Sequence, residues 1–221
     1  MQIDFNYLNQ FGDLENQIET LDIAVKKLQE GKLIAYPTDT LYGLGCDAFN
    51  VKAVELIFEV KQRPMGMPIP LIIGTRDQIH LVTEDVTDMI NALMDAFWPG
   101  PLTLIVPAGP KVPAIVGSRG WKVGVRIPDH PIPRYLSAIL GNPIAGTSAN
   151  ISGMPETKTA EEVNDQIGND VEMTIRSNQL PKGKPSTVLD ITETQPRILR
   201  KGHVTAKQIE EIYNQKVLIE N

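Results

Sequence analysis

Cysteine is almost missing from this chain: Cys46 is the one copy in 221 residues. That excludes an intrachain disulfide and any metal cluster built on cysteines, and it fits a cytoplasmic protein. The residue itself reads as a small buried side chain rather than a nucleophile. Histidine is scarce as well. His80, His130 and His203 share no motif spacing, so neither a metal cage nor a Ser-His-Asp triad is indicated, and each is expected on the surface or in a loop. No apolar run approaches a membrane span, and the amino terminus lacks a basic-then-apolar signal. The pattern G-x-x-x-x-G-K-[ST] is absent, which argues against a P-loop nucleotide site. Gly43-x-Gly45-x-x-Ala48 matches a relaxed dinucleotide fingerprint. However, Pro37 to Tyr42 separate it from the preceding strand, and the next helix starts only near Asn50. Ser148 sits in Gly-x-Ser-x-Asn, not in the G-x-S-x-G of a nucleophile elbow.

What is present is an ordinary globular composition, 42% hydrophobic and 22% charged, in a length that suits one domain. Gly and Pro number 17 each, which predicts punctuated strands and shaped loops rather than a helical bundle. The net charge of −6 argues against coating nucleic acid through bulk electrostatics, while leaving room for a local basic groove.

Ile18, Leu21, Val25 and Leu28 keep helical spacing, and Gly31 supplies a stop. Leu33–Tyr36 reads as a buried strand. Pro37 ends it, so Thr38, Asp39 and Thr40 are expected on a loop in which Gly43 and Gly45 allow a sharp turn or a close approach to a ligand. A plain polar turn would look the same. Asn50 caps a helix with Val54, Ile57 and Phe58 on its apolar face, Lys61 in its last turn and Arg63 just beyond. Ile69–Ile73 is a strand, Asp85 to Phe97 a helix, and Trp98-Pro99-Gly100-Pro101 leads into the strand Leu102–Val106. Val123, Val125 and Ile127 alternate with Arg126, which points the other way. A helix starts at Pro131 or Pro133 and runs to about Leu140. Pro143–Ala145 precedes a second polar loop, expected over 146–153. Thr159 with Glu162 and Thr205 with Gln208 are capping boxes for two further helices. Strands are expected at Val171–Ile175 and Thr187–Ile191, and Ile198–Leu199 is a short apolar run before Arg200. Interleaved helices and closely spaced strands predict a mixed sheet.

Hydroxyls, amides and cations recur at the ends of these apolar segments: Thr38, Thr40, Lys61, Arg63, Arg126, Ser148, Asn150, Ser152, Ser186, Thr187 and Arg200. One such residue is noise, but a series suggests a cleft lined with donors for phosphate and carboxylate oxygens. Without an obvious nucleophile, the chemistry expected is transfer catalysed by positioning and charge neutralisation, as in nucleotidyl or phosphoryl transfer.

Pro37-Thr38-Asp39-Thr40-Leu41-Tyr42-Gly43-Leu44-Gly45, Lys61-Gln62-Arg63-Pro64, Trp98-Pro99-Gly100-Pro101-Leu102-Thr103, Val125-Arg126-Ile127-Pro128, Ser148-Ala149-Asn150-Ile151-Ser152-Gly153, Ser186-Thr187-Val188-Leu189-Asp190 and Arg200-Lys201-Gly202 come in an order that resembles the YrdC-like family, the threonylcarbamoyl-adenylate synthases. The resemblance runs from about Leu21 to Ile212. It implies an α/β (α+β) fold: one domain over 21–214, a twisted mixed sheet flanked by helices around a concave positive cleft. A lead-in over 1–20 and a tail over 215–221 remain outside it. The implied reaction joins L-threonine, bicarbonate and ATP into threonylcarbamoyl-AMP with release of pyrophosphate, for N6-threonylcarbamoyladenosine in tRNA. By position, Thr40, Arg126, Gly146 and Ser186 would hold threonine, and Lys61, Arg63, Ser148, Asn150 and Arg200 would hold ATP. Lys61 and Arg63 would also act catalytically by placing and neutralising charge, and Mg²⁺ would accompany the ATP. Contact with tRNA or double-stranded RNA, and handover to the threonylcarbamoyl transferase complex, are implied partners. Three positions depart from the pattern: Met67 stands where many members carry Lys, Ile72 where many carry His, and Glu156 where a small hydroxyl residue is expected. Two other readings stay open, a paralogue that binds RNA or nucleotide without making the adenylate, and a carbamoyl-handling module like that of hydrogenase-maturation carbamoyltransferases.

Overall fold

The computed structural model describes residues 18–117, 121–177 and 181–220. Residues 1–17 of the expected lead-in lie outside that range. The described chain runs α1 (Ile18–Gln29), β1 (Ile34–Pro37), β2 (Tyr42–Asp47), α2 (Val51–Val60), β3 (Leu71–Ile72), a 3₁₀ turn (Arg76–Leu81), α3 (Asp88–Phe97), β4 (Leu102–Pro107), β5 (Lys122–Arg126), α4 (Pro131–Leu140), β6 (Ile144–Ser148), α5 (Ala160–Ile167), β7 (Met173–Thr174), β8 (Thr187–Asp190), β9 (Arg197–Arg200), α6 (Ala206–Tyr213) and β10 (Leu218–Ile219). The strands form one sheet in the order β10-β9-β8-β4-β5-β3-β6-β2-β1-β7. Four pairs are parallel (β1 with β7, β3 with β5, β4 with β8, β9 with β10) and five antiparallel, so the sheet is mixed as expected. The stretch set apart as a tail contributes β10, the edge strand beside β9.

Several helix ends follow from local chemistry. Asn50 accepts a hydrogen bond from the Ala53 amide at 3.2 Å at the start of α2. The capping boxes at Thr159/Glu162 and Thr205/Gln208 open α5 and α6. His130 lies in the loop before α4, one of the two settings expected for it, but it is buried there, and its Nδ1 accepts from the Ile132 amide at 3.3 Å to cap α4. Burial lowers its pKa to about 4, so the ring is neutral near pH 7.

The two faces of the sheet bury different sets of side chains. Ala35, Leu44, Cys46, Leu71, Leu104, Val123, Val125, Ala145 and Leu189 turn to one face, where α2, α3, α5 and α6 cover them. Ile34, Tyr36, Ile72 and Ile144 turn to the other, packed under α1 and α4. On that second face the strands also carry Gly43, Gly45, Gly124 and Gly146, which corrects the sequence reading. Gly43 and Gly45 lie inside β2, paired with Tyr36 and Ile34 of β1, not on a loop. Gly146 and Ser148 likewise belong to β6, not to the polar loop that follows. A Cβ on Gly43, Gly45 or Gly146 would come closer than 3.0 Å to a neighbouring atom. A Cβ on Gly45 would stand 2.5 Å from Ile144 Cγ2 and 2.8 Å from the Tyr36 hydroxyl, and one on Gly146 2.8 Å from that same oxygen. Gly45→Ala is therefore expected to cost about 1–3 kcal/mol in urea unfolding, the usual range for overpacking. Gly124→Ala, whose Cβ would come no nearer than 3.2 Å to Thr103 Cγ2, should cost less.

Candidate functional site

Gly43, Gly124 and Gly146 border a cavity of about 370 Å³ on the second face. Its floor comes from adjacent strands by the alternation of the pleat: Tyr36 of β1, Gly43 of β2, Gly146 and Ser148 of β6, Ile72 of β3, Gly124 and Arg126 of β5, Thr103 and Ile105 of β4, and Val188 of β8. Thr38 and Thr40 close one side, Ser186 and Arg200 another, and Arg63 and Glu156 stand at the rim.

Arg126 is the buried cation of this floor. Its Nε donates to the Gly100 carbonyl at 2.8 Å, its Nη1 to Thr40 Oγ1 at 3.2 Å, and its Nη2 pairs with Asp39. Desolvation lowers its pKa and the Asp39 carboxylate opposes that shift, so the guanidinium stays charged. Thr40 is fixed in turn, its Oγ1 lying 3.0 Å from that of Thr38, which donates to the Leu41 carbonyl at 2.7 Å. On the opposite side Arg200 donates to the Ser186 carbonyl at 3.2 Å and to its hydroxyl at 3.0 Å, while that hydroxyl lies 2.9 Å from Thr103 Oγ1. Burial also depresses Arg200, and Glu156 partly offsets it. Arg63 keeps Nη2 on the Pro68 carbonyl at 3.0 Å, while its buried Nε has no partner among the described residues.

Seven of the nine residues expected at the site therefore line one cavity: Thr40, Arg63, Arg126, Gly146, Ser148, Ser186 and Arg200. Lys61 and Asn150 do not. Lys61 is buried behind the wall, where its ammonium donates to the carbonyls of Ser148 and Asn150 (2.6 Å to the latter) and to Asn150 Oδ1 at 3.2 Å. Asn150 Oδ1 also accepts from Ser148 Oγ at 2.6 Å, and Asn150 Nδ2 donates to the Met154 carbonyl at 2.8 Å. The pair knits the loop that presents Ser148. Of the three departures, Ile72 and Glu156 line the cavity, whereas Met67 is exposed and outside its lining.

A model of the Sua5, YciO and YrdC proteins, described as telomere recombination, matches residues 26–202. The chain belongs to the Sua5/YciO/YrdC family. Among its relatives, a threonylcarbamoyl-AMP synthase of Pyrococcus abyssi is 38% identical over 190 residues, 86% of this chain and 56% of that protein. A threonylcarbamoyl-AMP synthase of Vibrio parahaemolyticus is 35% identical over 187 residues, 84% of this chain and the whole of that protein. The chain thus spans a little over half of the first relative and all of the second. The crystal structure of P. abyssi Sua5 complexed with L-threonine superposes with a TM-score of 0.86 at 36% identity, over 90% of this chain and 58% of that one. E. coli YciO superposes at 0.78 and 29% identity, over 86% of this chain and 93% of that one.

In this family member, sequence reasoning missed three site residues: Asp39, Thr103 and Tyr36. Asp39 and Thr103 act through partners 87 and 83 positions away, which no local pattern reveals. Removing the carboxylate leaves a buried cation uncompensated, so Asp39→Ala is expected to cost about 3–5 kcal/mol, measured by chemical denaturation.

Burial and the neighbouring Arg63 lower the Lys61 pKa to about 8. The ammonium is charged below that pH and fills three acceptors, and deprotonation releases one of them. Ligand binding at the cavity is therefore expected to weaken as pH rises through about 8. The stability effect runs the other way. The unfolded lysine holds its proton up to about 10.5, so between pH 8 and 10.5 the unfolded chain binds more protons and wild type gains stability relative to Lys61→Met. Paired titrations of binding and unfolding check both signs.

Proposed function

We propose that the chain synthesises threonylcarbamoyl-AMP from L-threonine, bicarbonate and ATP, releasing pyrophosphate. The observation that carries this reading is the convergence of Arg63, Arg126 and Arg200 with Thr40, Ser148 and Ser186 on one cavity of amino-acid-plus-nucleotide scale, with no activated nucleophile among the lining residues. The similarity to proteins named for that activity supports it.

Threonine sits at the buried end, its carboxylate drawn to Arg126 beside Thr40, with Gly146 giving room and Ser186 closing the site. Its amine adds to bicarbonate with loss of water to form a carbamate. A carbamate oxygen then attacks the α-phosphorus of ATP, and the bond from that phosphorus to the bridging oxygen breaks as pyrophosphate leaves. Both reactants are anions, so the barrier is partly their repulsion. Arg63 and Arg200 offset it with fixed charge that needs little rearrangement. Ser148 contributes a hydroxyl beside the nucleotide. Lys61 and Asn150 position that hydroxyl and do not touch the phosphates, which replaces their expected direct role.

The protein offers phosphate-binding cations rather than a metal cage. Among the described residues no group of three or more His, Cys, Asp or Glu could hold a metal ion. Magnesium therefore suits the ATP phosphates themselves, and no step above is routed through a protein-held ion. The adenylate is a mixed anhydride, so its threonylcarbamoyl group is activated for transfer to a nucleophile. The exocyclic amine of a tRNA adenosine is the acceptor in this reading, reached by handover to the threonylcarbamoyl transferase complex. A cytoplasmic setting goes with that role, and among the described residues no helix is long and apolar enough to cross a membrane.

Pyrophosphate release that requires both threonine and bicarbonate is the expected result, and release without either would contradict the reading. Arg63→Ala should lower kcat/KM by roughly a hundredfold or more, in line with loss of a group that neutralises transition-state charge. Its melting temperature should stay within a few degrees of wild type, because the side chain is half-exposed at the rim. Near-wild-type turnover in that variant would remove Arg63 from the mechanism. A paralogue that only binds RNA would instead show salt-sensitive duplex binding without pyrophosphate release.

A further inference from the structure

Among the described residues Glu156 is the one carboxylate that lines the cavity, and it shares that lining with Arg63, Arg126 and Arg200. Its backbone is held on both sides. The Pro155 carbonyl accepts from Gln166 Nε2 at 3.0 Å, and the Thr157 carbonyl accepts from the Tyr42 amide at 2.9 Å. The Thr157 hydroxyl in turn donates to the Ala149 carbonyl at 3.1 Å. The Glu156 side chain itself is exposed, and among the described residues it makes no hydrogen bond and no ion pair. The fold therefore places a carboxylate at the mouth of an anion site and leaves its oxygens free.

Arg200 is the cation that this carboxylate reaches. Nε and Nη2 of Arg200 are engaged with the carbonyl and hydroxyl of Ser186, both neutral, whereas Arg126 has the Asp39 carboxylate bound to it directly. The charged form of Arg200 is favoured by Glu156 and disfavoured by Arg126, so the carboxylate acts on the guanidinium through space without touching it. Such an attraction at an exposed position is weak. Weakness suits a counter-charge that has to give way: a pair as close and buried as Arg126 with Asp39 would keep Arg200 from any other anion. Phosphate oxygens, with more charge and two acceptors for one guanidinium, displace a single distant carboxylate.

We propose that Glu156 is a built-in competitor of phosphate for Arg200: it attracts this guanidinium while the nucleotide end is empty, yields to the triphosphate, and favours the departure of pyrophosphate. The inference rests on the synthase reading for the identity of the anion. It goes further by giving a role to a carboxylate that otherwise only opposes the substrate. Glu156 is a positioning residue in this scheme, acting through Arg200. A site that binds its ligand only from the fraction in which the arginine is free of its counter-charge has an apparent affinity lowered by that fraction, for substrate and product alike.

The test is calorimetric titration of pyrophosphate into wild type, Glu156→Gln, Glu156→Asp, Arg200→Met and the double variant Glu156→Gln/Arg200→Met, alongside steady-state kinetics. Glu156→Gln should bind pyrophosphate about two- to fivefold more tightly, the range of an exposed ion pair. Its KM for ATP should fall by a similar factor with no rise in kcat, the mark of a change in uniform binding, and its affinity for L-threonine should stay within about twofold of wild type. Glu156→Asp keeps the charge and should stay near wild type. In the Arg200→Met background the gain from Glu156→Gln should vanish. Unchanged or weaker pyrophosphate binding in Glu156→Gln, an Asp variant that matches the Gln one, or an undiminished gain without Arg200 would each overturn the proposal. If wild type releases pyrophosphate with threonine and bicarbonate while Glu156→Gln binds it no more tightly, the Glu156 assignment fails and the synthase reading stands. If wild type neither binds nor releases pyrophosphate, both fail.

Discussion

A guanidinium in the middle of a sheet is costly to desolvate, and the site is arranged around meeting that cost. Arg126 sits at the end of β5 with its neighbours Val123, Val125 and Ile127 turned into the opposite core. Its donors can be satisfied only by bringing in oxygen from outside the strand. They come from Gly100 in the turn before β4 and from Asp39 and Thr40 in the β1–β2 connection. An apolar residue at 126 would make the sheet easier to assemble. Keeping the charge ties two distant connections to one point, and those connections are the walls of the cavity. Lys61 works on the same principle behind the opposite wall. Its buried ammonium gathers the carbonyls of residues 148 and 150, at the end of β6 and in the loop after it.

Charge is supplied by addition, but space is supplied by omission. Gly43, Gly124 and Gly146 fall on one face of neighbouring strands, and the missing side chains are the depth of the cavity. Because side chains alternate with period two, a slip of one residue in β2 or β6 would turn Leu44 or Ala145 into the cavity and bury the glycines' face uselessly. The pairing of Gly45 with Gly146 and of Gly43 with Ser148 therefore has to be held firmly. The large Tyr36 ring lying over Gly43 contributes to that, since it can occupy this position only in the observed register.

The helices were readable from the sequence because their signals are local. Asn50, Thr159/Glu162 and Thr205/Gln208 name their own helix starts. β2 was hidden because Tyr42-Gly43-Leu44-Gly45-Cys46 places glycine at every second position, and glycine is depleted in strands. The alternation was there, but with nothing where polar residues usually stand. Seven expected site residues gather because each lies on the cavity face of a strand or in a connection beside it. Lys61 and Asn150 lie outside the cavity lining, bonded to each other and to the loop that presents Ser148. Gln62 takes a left-handed backbone at φ 50°, which turns Lys61 and Arg63 to different sides of the wall. Lys61 finds backbone carbonyls, which the sequence does not display.

The two ends of the cavity differ in a way that suits the two substrates assigned to them. Arg126, Thr40, Tyr36 and Ile72 are all buried, and their neighbours hold them in place from several directions. In such surroundings one missing hydrogen bond is expensive, so small differences between amino acids can be told apart. Arg63, Glu156 and Arg200 stand at the more open end, where water screens charge and side chains can adjust. A triphosphate needs little discrimination of that fine kind, because its own charge supplies the attraction and several oxygens share it. The carboxylate of Glu156 opposes phosphate at that rim, but exposure weakens its effect. Its attraction for Arg200 also helps keep the guanidinium poised beside Ser186 rather than extended into solvent. On the proposed reading, selectivity belongs to the buried end and charge neutralisation to the more exposed one, with Arg126 on the floor between them.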